Sequence, residues 1–194
     1  MKLDSIALSS VTFEIKEKYI PAKIIDIFQL SNYEIILVLR KNKDTGKLFF
    51  SIRPDRMAFF LTHSSLPTEN FSTLFLNQLK SWVYGGMLID IEHYQFDRMI
   101  KLVIQPYIKF GPIKQYFLMI EMMGKHSNVI LIDEQNNIKS VLKQVGSEMN
   151  RYREIKPGVS YVFPPQQEKV NLLAVNRQEF LTMLKESIIT DKAE

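Results

Sequence analysis

Tyr116-Phe117-Leu118-Met119-Ile120-Glu121-Met122, followed after a short polar connection by Val129-Ile130-Leu131-Ile132-Asp133, is the stretch on which the fold turns. A strand with one wet face alternates apolar and polar residues, because successive side chains point to opposite faces. Here both alternating faces are apolar apart from Glu121, so this strand is expected at the centre of a sheet, covered on both sides.

Working outward, similar short runs recur every 8–12 residues or so, bounded by turn residues. Strands are predicted over 22–30, 33–40, 47–52, 57–62, 87–94, 99–105, 113–122, 129–133 and 138–145. Ser31-Asn32, Lys43-Asp44-Thr45-Gly46, Pro54-Asp55 and Asp133-Glu134-Gln135-Asn136-Asn137 supply the turns between them. Two helices accompany the strands. Asp4 caps the first, which presents Leu8, Val11 and Ile15 at helical spacing and stops before Pro21. The second runs over 72–83 with Leu74, Leu76, Leu79 and Val83, and Gly85-Gly86 ends it. The class is α+β, mainly an antiparallel β-sandwich with flanking helices. No internal repeat is visible in the letters.

The far end differs. Pro164-Pro165 and Gln166-Gln167-Glu168-Lys169 read as a linker. Asn176 with Glu179 then forms a capping-box start for an amphipathic helix with Phe180, Leu181, Leu184 and Ile188. The expected division is a domain over 1–165, then a linker and the first helix of a helical domain over 166–194, as in a piece cut from a longer protein.

Composition narrows the chemistry. The 194 residues contain no cysteine, which removes disulfides and thiolate metal sites. His63, His93 and His126 are scattered without metal-ligand spacing, so neither a metal nor a cofactor is expected. There is no phosphate-binding Gly-rich loop and no Gly-x-Ser-x-Gly elbow, so the chain does not read as an enzyme. With no membrane-length apolar run and no signal peptide at Met1-Lys2-Leu3-Asp4-Ser5, the expected location is cytoplasmic. A formal charge of +4 favours an anionic partner.

Three polar clusters interrupt the apolar strands. Gln95-Phe96-Asp97-Arg98 reads either as a hairpin turn or as an exposed pair, with Asp97 an acceptor and Arg98 a fork of donors suited to a base edge and a phosphate. In the second, Glu121 precedes Gly124, which allows a bend; Lys125, His126, Ser127 and Asn128 then suit RNA phosphates, 2′-hydroxyls and base edges. The alternative is a long polar β-connection. Between Gln105 and Ile132 the one acid is Glu121, against Lys109, Lys114 and Lys125. The third, Asn150-Arg151-Tyr152-Arg153-Glu154, alternates cations with a stacking ring, or protects a strand edge by charge.

These clusters resemble a known family. Glu121 to Asp133 is similar to the E-x-M-G-[RK]-x-S-N-x-x-L-x-D signature of the NFACT N-terminal domain. Val145 to Pro165 resembles the stretch that follows it, with an N-R-x-R core and a P-G-x-x-Y-x-x-P-P close. Asp97-Arg98 matches the family's Asp-Arg motif, and Asp4 to Leu8 its first helix. The resemblance implies an RqcH/NEMF-type factor that binds tRNA and the large ribosomal subunit with an obstructed nascent chain, and supports C-terminal alanine tailing. It makes Asp97 and Arg98 the tRNA-recognition pair, within an RNA-binding set of Asp97, Arg98, Glu121, Gly124, Lys125, His126, Ser127, Asn128, Asn150, Arg151 and Arg153. Phosphates are expected on Arg98, Lys125, Arg151 and Arg153. Similar Gram-positive proteins are called fibronectin- or fibrinogen-binding, which makes a surface adhesin with fibronectin as partner the alternative. The fold is expected to be similar to the N-terminal domain of formamidopyrimidine-type DNA glycosylases, but Met1-Lys2-Leu3 lacks their N-terminal proline and adjacent glutamate.

Overall fold

A computed structural model describes residues 4–66, 71–94, 97–107, 114–148, 152–165 and 175–182 of the chain. It divides into two compact units, Met1–Val162 and Phe163–Glu194.

In the first unit, α1 (Ser5–Tyr19) starts where the Asp4 carboxylate accepts the Ala7 amide at 2.8 Å. That bond satisfies a donor which the first helical turn leaves open. The helix buries Leu8, Thr12, Ile15 and Tyr19. Val11, expected on this stripe, is only half-buried; Thr12 takes the place because its hydroxyl bonds Leu8 O at 2.7 Å, which offsets the cost of burying it. Four strands follow: β1 (Ala22–Gln29), β2 (Glu34–Lys41), β3 (Asp44–Ile52) and β4 (Met57–Thr62). The turn expected over 43–46 is tighter and earlier. Lys41 pairs with Asp44, leaving Asn42-Lys43 as a two-residue turn with Asn42 at φ 57°, a conformation asparagine tolerates.

Helix α2 (Leu74–Val83) is capped by Thr73, whose hydroxyl accepts the Leu76 amide at 3.0 Å. It buries Phe75, Leu76, Leu79 and Val83. Leu74, expected inside, is 70% exposed: the cap makes it the first helical residue, and Phe75 occupies the inner stripe in its stead. Strands β5 (Met87–His93), β6 (Met99–Gln105), β7 (Tyr116–Glu121), β8 (Asn128–Asp133) and β9 (Ile138–Val141) complete the unit.

Every ladder is antiparallel, and the nine strands form one sheet in the order β4-β3-β2-β1-β5-β6-β7-β8-β9. The α+β class is as expected. The two layers are one continuous sheet, joined where β1 meets β5 through the pairs Ala22↔Leu88 and Lys23↔Met87. The sheet curls on itself. Helix α2 reaches β1 through Lys80–Asp26 (3.1 Å) and β9 through Ser140–Gln78 (2.8 Å). Just beyond β9, the Lys143 ammonium lies 4.9 Å from the centre of the Tyr33 ring in the β1–β2 turn. A single apolar core therefore runs from Ile24, Leu37 and Phe50 through Leu79 to Leu118 and Leu131, each such side chain contributing about 1.5–3 kcal/mol by leaving water. β7 lies between β6 and β8, with Leu118, Met119 and Ile120 fully buried, as its composition predicts.

The structure does contain a repeat that the letters hide. A helix followed by an antiparallel meander occurs twice, α1-β1-β2-β3-β4 and α2-β5-β6-β7-β8. Lys16 and Lys80, and likewise Asp26 and Asp90, lie 64 positions apart. The bridges are exchanged between halves: Lys16 reaches Asp90 at 2.8 Å, and Lys80 reaches Asp26. β1 and β5 each slip register just before their aspartate. In each, the carboxylate takes the following amide at 2.7 Å. A bulge adds one residue and leaves an amide unpaired, and the aspartate answers it locally. Because the matching pieces are backbone features carried by unlike side chains, composition and spacing give no sign of them.

In the second unit, the Asn176 carboxamide accepts the Gln178 and Glu179 amides at 2.9 and 3.0 Å, and Glu179 accepts the Asn176 amide at 3.0 Å. This is the expected capping box, opening a helix described over 177–182; Leu184 and Ile188 lie outside the described residues.

Candidate nucleic-acid interface

Sheet register places the first two polar clusters side by side. Met99 opens β6 and pairs with Glu121, the last residue of β7, and Glu121 pairs in turn with Asn128, the first of β8. Asp97-Arg98 and the 122–127 connection therefore leave the sheet at the same end. The Met122 amide fastens them together by donating to Arg98 O at 2.8 Å.

The Asp97-Arg98 turn is built from backbone bonds. The Asp97 amide donates to Tyr94 O at 2.9 Å, and its carboxylate accepts the Arg98 amide at 2.7 Å. His93 Nε2 donates to Asp97 O at 2.6 Å and lies 3.4 Å from Ser5 Oγ. A carbonyl can only accept, so this nitrogen carries the proton. Burial holds the His93 pKa below its ordinary value, against the Asp97 carbonyl and carboxylate, which raise it. The neutral ring is thus a fixed strut under the turn. Asp97 and Arg98 are both half-buried, and no ion pair engages Arg98 among the described residues. Gln95 and Phe96 lie outside the described residues.

The 122–127 connection contains a single 3-10 turn, Gly124–His126, entered with Gly124 at φ 62°. That backbone suits glycine, because a Cβ would crowd the following carbonyl. Lys125 and His126 are exposed at its tip. Ser127 and Asn128, expected to be presented with them, are each only 1% exposed. Asn128 is committed to structure: Oδ1 accepts the Val129 and Lys143 amides at 2.9 and 3.0 Å, and Nδ2 donates to Lys143 O at 2.8 Å. Its side chain thereby extends the β8–β9 ladder past Val141, which is why it is buried where a base reader was expected.

Glu121 and Arg153 are likewise inside, exposed by 0% and 7%. Arg153 Nη1 and Nη2 grip the two carboxylate oxygens at 2.8 and 2.5 Å, Tyr161 Oη donates to Oε1 at 2.8 Å, and Nη1 also donates to Val162 O at 3.0 Å. Burial opposes the Arg153 charge, yet Glu121 and Tyr161 outweigh it and raise its pKa; burial first, then Glu121, drives the Tyr161 phenol far above its usual range. The expected phosphate contact at Arg153 is therefore replaced by a structural one, which ties the 152–162 segment to β7. Asn150 and Arg151 lie outside the described residues.

This burial changes the surface. The lone acid between Gln105 and Ile132 is neutralised in the interior, so the connection shows the outside only cations and neutral groups. Two contributors were missed in the sequence. Lys143 donates to Ser127 O at 3.0 Å, and burial lowers its pKa. It sits in a stretch read as ordinary strand, and nothing in the sequence marks it. His93 was set aside as a metal ligand, and its role as a strut depends on a turn whose shape the letters do not specify.

The comparisons fit this layout. The family model for NFACT N-terminal and middle domains matches residues 4–193. The chain belongs to the NFACT family. Curated NFACT relatives named Rqc2 homolog RqcH align at 28% identity over 193 residues in Streptococcus pneumoniae (99% of this chain, 35% of the relative) and at 29% over 185 residues in Bacillus subtilis (95% and 32%). The chain thus spans about a third of the length of the curated relatives it matches. Among solved structures, the N-terminal domain of the fibronectin-binding protein PavA from Streptococcus pneumoniae superposes with TM-score 0.85 at 27% identity, over 94% of this chain and 68% of that one. The N-terminal part of the fibronectin/fibrinogen-binding protein from Streptococcus suis gives TM-score 0.86 at 29% identity, over 94% and 69%. Within this NFACT chain, no described helix is long and apolar enough to cross a membrane, and no group of three metal-binding side chains occurs among the described residues.

Proposed function

We propose that the chain is the N-terminal module of a cytoplasmic ribosome quality-control factor and acts as a binding module, not an enzyme. It binds tRNA through Asp97-Arg98 and the Lys125-His126 tip. The full-length factor engages the large ribosomal subunit with an obstructed nascent chain and supports C-terminal alanine tailing. The observation that carries this reading is the convergence of Arg98, Lys125 and His126 at one sheet end whose only nearby acid, apart from Asp97, is buried and neutralised. Family membership and relatives named as RqcH support the ribosomal setting. Cations hold phosphates, whereas the Asp97 acceptor beside the Arg98 fork suits a base edge.

The test is tRNA binding by wild type and by Asp97→Ala/Arg98→Ala at about 50 and about 200 mM salt, a span over which phosphate contacts weaken strongly. The double variant is expected to lose about tenfold or more in affinity, as for removal of a charged hydrogen bond, with an unchanged melting temperature. Equal affinity in a folded double variant would sink the proposal. A second reading, fibronectin binding, draws on the names of the two solved structures. Immobilised fibronectin capturing the purified chain at physiological salt would favour it.

A further inference from the structure

A cavity of about 310 Å³ lies beside the 122–127 connection, walled by Lys125, His126, Ser127, Lys143, Val145 and Ile155, with Arg153 behind. Its volume is roughly ten times the share of one water in the liquid, far more than solvation of one or two polar groups needs. Its lining contains three formal cations and a histidine, and no acid. A neighbouring depression of about 230 Å³, lined by Gln29, Thr73 and Gln78 among others, carries no charged side chain. The cationic lining is thus particular to this cavity.

Two features of the lining call for a ligand. Lys143 uses one of its three N–H groups on Ser127 O, and its ammonium rests on the Tyr33 ring. No carboxylate pairs with it among the described residues, although burial disfavours its charge. Ser127 Oγ is the one buried side-chain polar atom without a hydrogen-bond partner among the described residues. Native structures leave few such groups, and each demands a reason. Because the hydroxyl holds no bond, turning it to another staggered position costs little. Opposite the cations, Val145 and Ile155 give an apolar wall, held by mutual backbone bonds of 2.9 and 2.8 Å.

We propose that this cavity is a preformed seat for one ribonucleotide, with its phosphate on Lys143 and Lys125, its base against Val145 and Ile155, and its ribose 2′-hydroxyl on Ser127 Oγ. A serine hydroxyl both donates and accepts, as the 2′-hydroxyl does, and that group is what distinguishes RNA from DNA at a site. Unstacked nucleotides of RNA loops are the form in which such a seat receives its ligand. The inference deepens the tRNA-binding reading and rests on it for the source of the nucleotide: an RNA loop, as against a free nucleoside monophosphate.

The experiment uses the whole chain, with amide chemical shifts followed during titration with 5′-AMP, 5′-CMP and their 2′-deoxy counterparts, and with tRNA affinity measured in parallel. Ribonucleotides are expected to shift the Ser127, Lys143 and Val145 amides. Lys143→Met should weaken both mononucleotide and tRNA binding about tenfold, the scale of one charged hydrogen bond. Ser127→Ala should abolish the preference for ribose over deoxyribose. It should also raise the melting temperature, since it removes an unsatisfied buried hydroxyl; that gain keeps misfolding from passing as loss of binding. Ser127-dependent mononucleotide binding by a protein that ignores tRNA would uphold the seat for free nucleotides and sink the RNA reading. Binding of tRNA that depends on Asp97-Arg98 but is indifferent to Lys143→Met and Ser127→Ala, with no mononucleotide shifts, would overturn the seat and leave the RNA reading standing.

Discussion

Arg153→Met is expected to cost about 3–5 kcal/mol of folding stability, the range for removing one partner of a buried ion pair. The loss comes from what remains. Glu121 is fully buried, and without the guanidinium its carboxylate keeps only the Tyr161 hydroxyl at 2.8 Å. A domain of this size has a net stability of about 5–15 kcal/mol, so the variant loses a large part of it. Urea unfolding should show a lower midpoint at unchanged slope. The contrasting variant is Arg153→Met with Glu121→Leu. Replacing both ions by apolar groups of similar volume is often neutral, so the double change should recover most of the loss. A single Arg153→Met variant as stable as wild type would mean that the pair contributes nothing to the fold. In that event Arg153 would again be available as an RNA contact.

The second large effect is expected at Gly86. A Cβ built there would lie 2.7 Å from Gln105 O, 3.0 Å from Pro106 Cα and 3.2 Å from Val83 O. Two of these are backbone oxygens and the third is a backbone carbon, so no side chain can swing aside. The same residue accepts the Ile24 amide at 2.8 Å, and its neighbour Gly85 donates to Ile24 O at 3.0 Å. Gly86→Val therefore pushes on the joint where β1 meets β5. Overpacking typically costs about 1–3 kcal/mol, and the upper end is expected, because the strain falls on a two-pair ladder. Gly85→Ala, at φ 77° with nothing within 4 Å of a new Cβ, should cost less, through backbone strain alone. If the two variants melt alike, close approach at Gly86 is not what holds the joint.

Much of the architecture was legible because it is written in short-range signals. Asp4, the Ile/Val/Leu-rich runs and the Asn176/Glu179 box each act over a few residues, and all appear where expected. The misplacements have local causes. A two-residue turn at Asn42-Lys43 needs only one tolerant residue, and the sequence also offered Asp44 and Gly46. The candidate site was half legible. Spacing identified polar interruptions between apolar strands but could not say which polar residues turn inward. Ser127 and Asn128 look like Lys125 and His126 in the letters, yet the β8 register carries them inside. Glu121 and Arg153 are 32 positions apart, and only the fold shows that each is the other's counter-charge. Lys143 gains its role from the Tyr33 ring and Ser127, both distant in sequence.

The exchanged lysine–aspartate bridges and the Lys23↔Met87 pair, whose members are themselves 64 apart, describe an approximate two-fold axis through the chain. In the terms used for assemblies, the contact is isologous: each half offers the other the same patch. Here the partner is tethered, so the contact does not depend on protein concentration. Symmetry usually forces two surfaces to change together, but two halves encoded separately are free to differ. They do so at their tips. On the β3–β4 turn Arg53 is paired locally with Asp55 at 3.0 Å, whereas the β7–β8 tip carries Lys125 with no ion pair among the described residues. One copy has silenced its charge, and the other has kept its own for a partner.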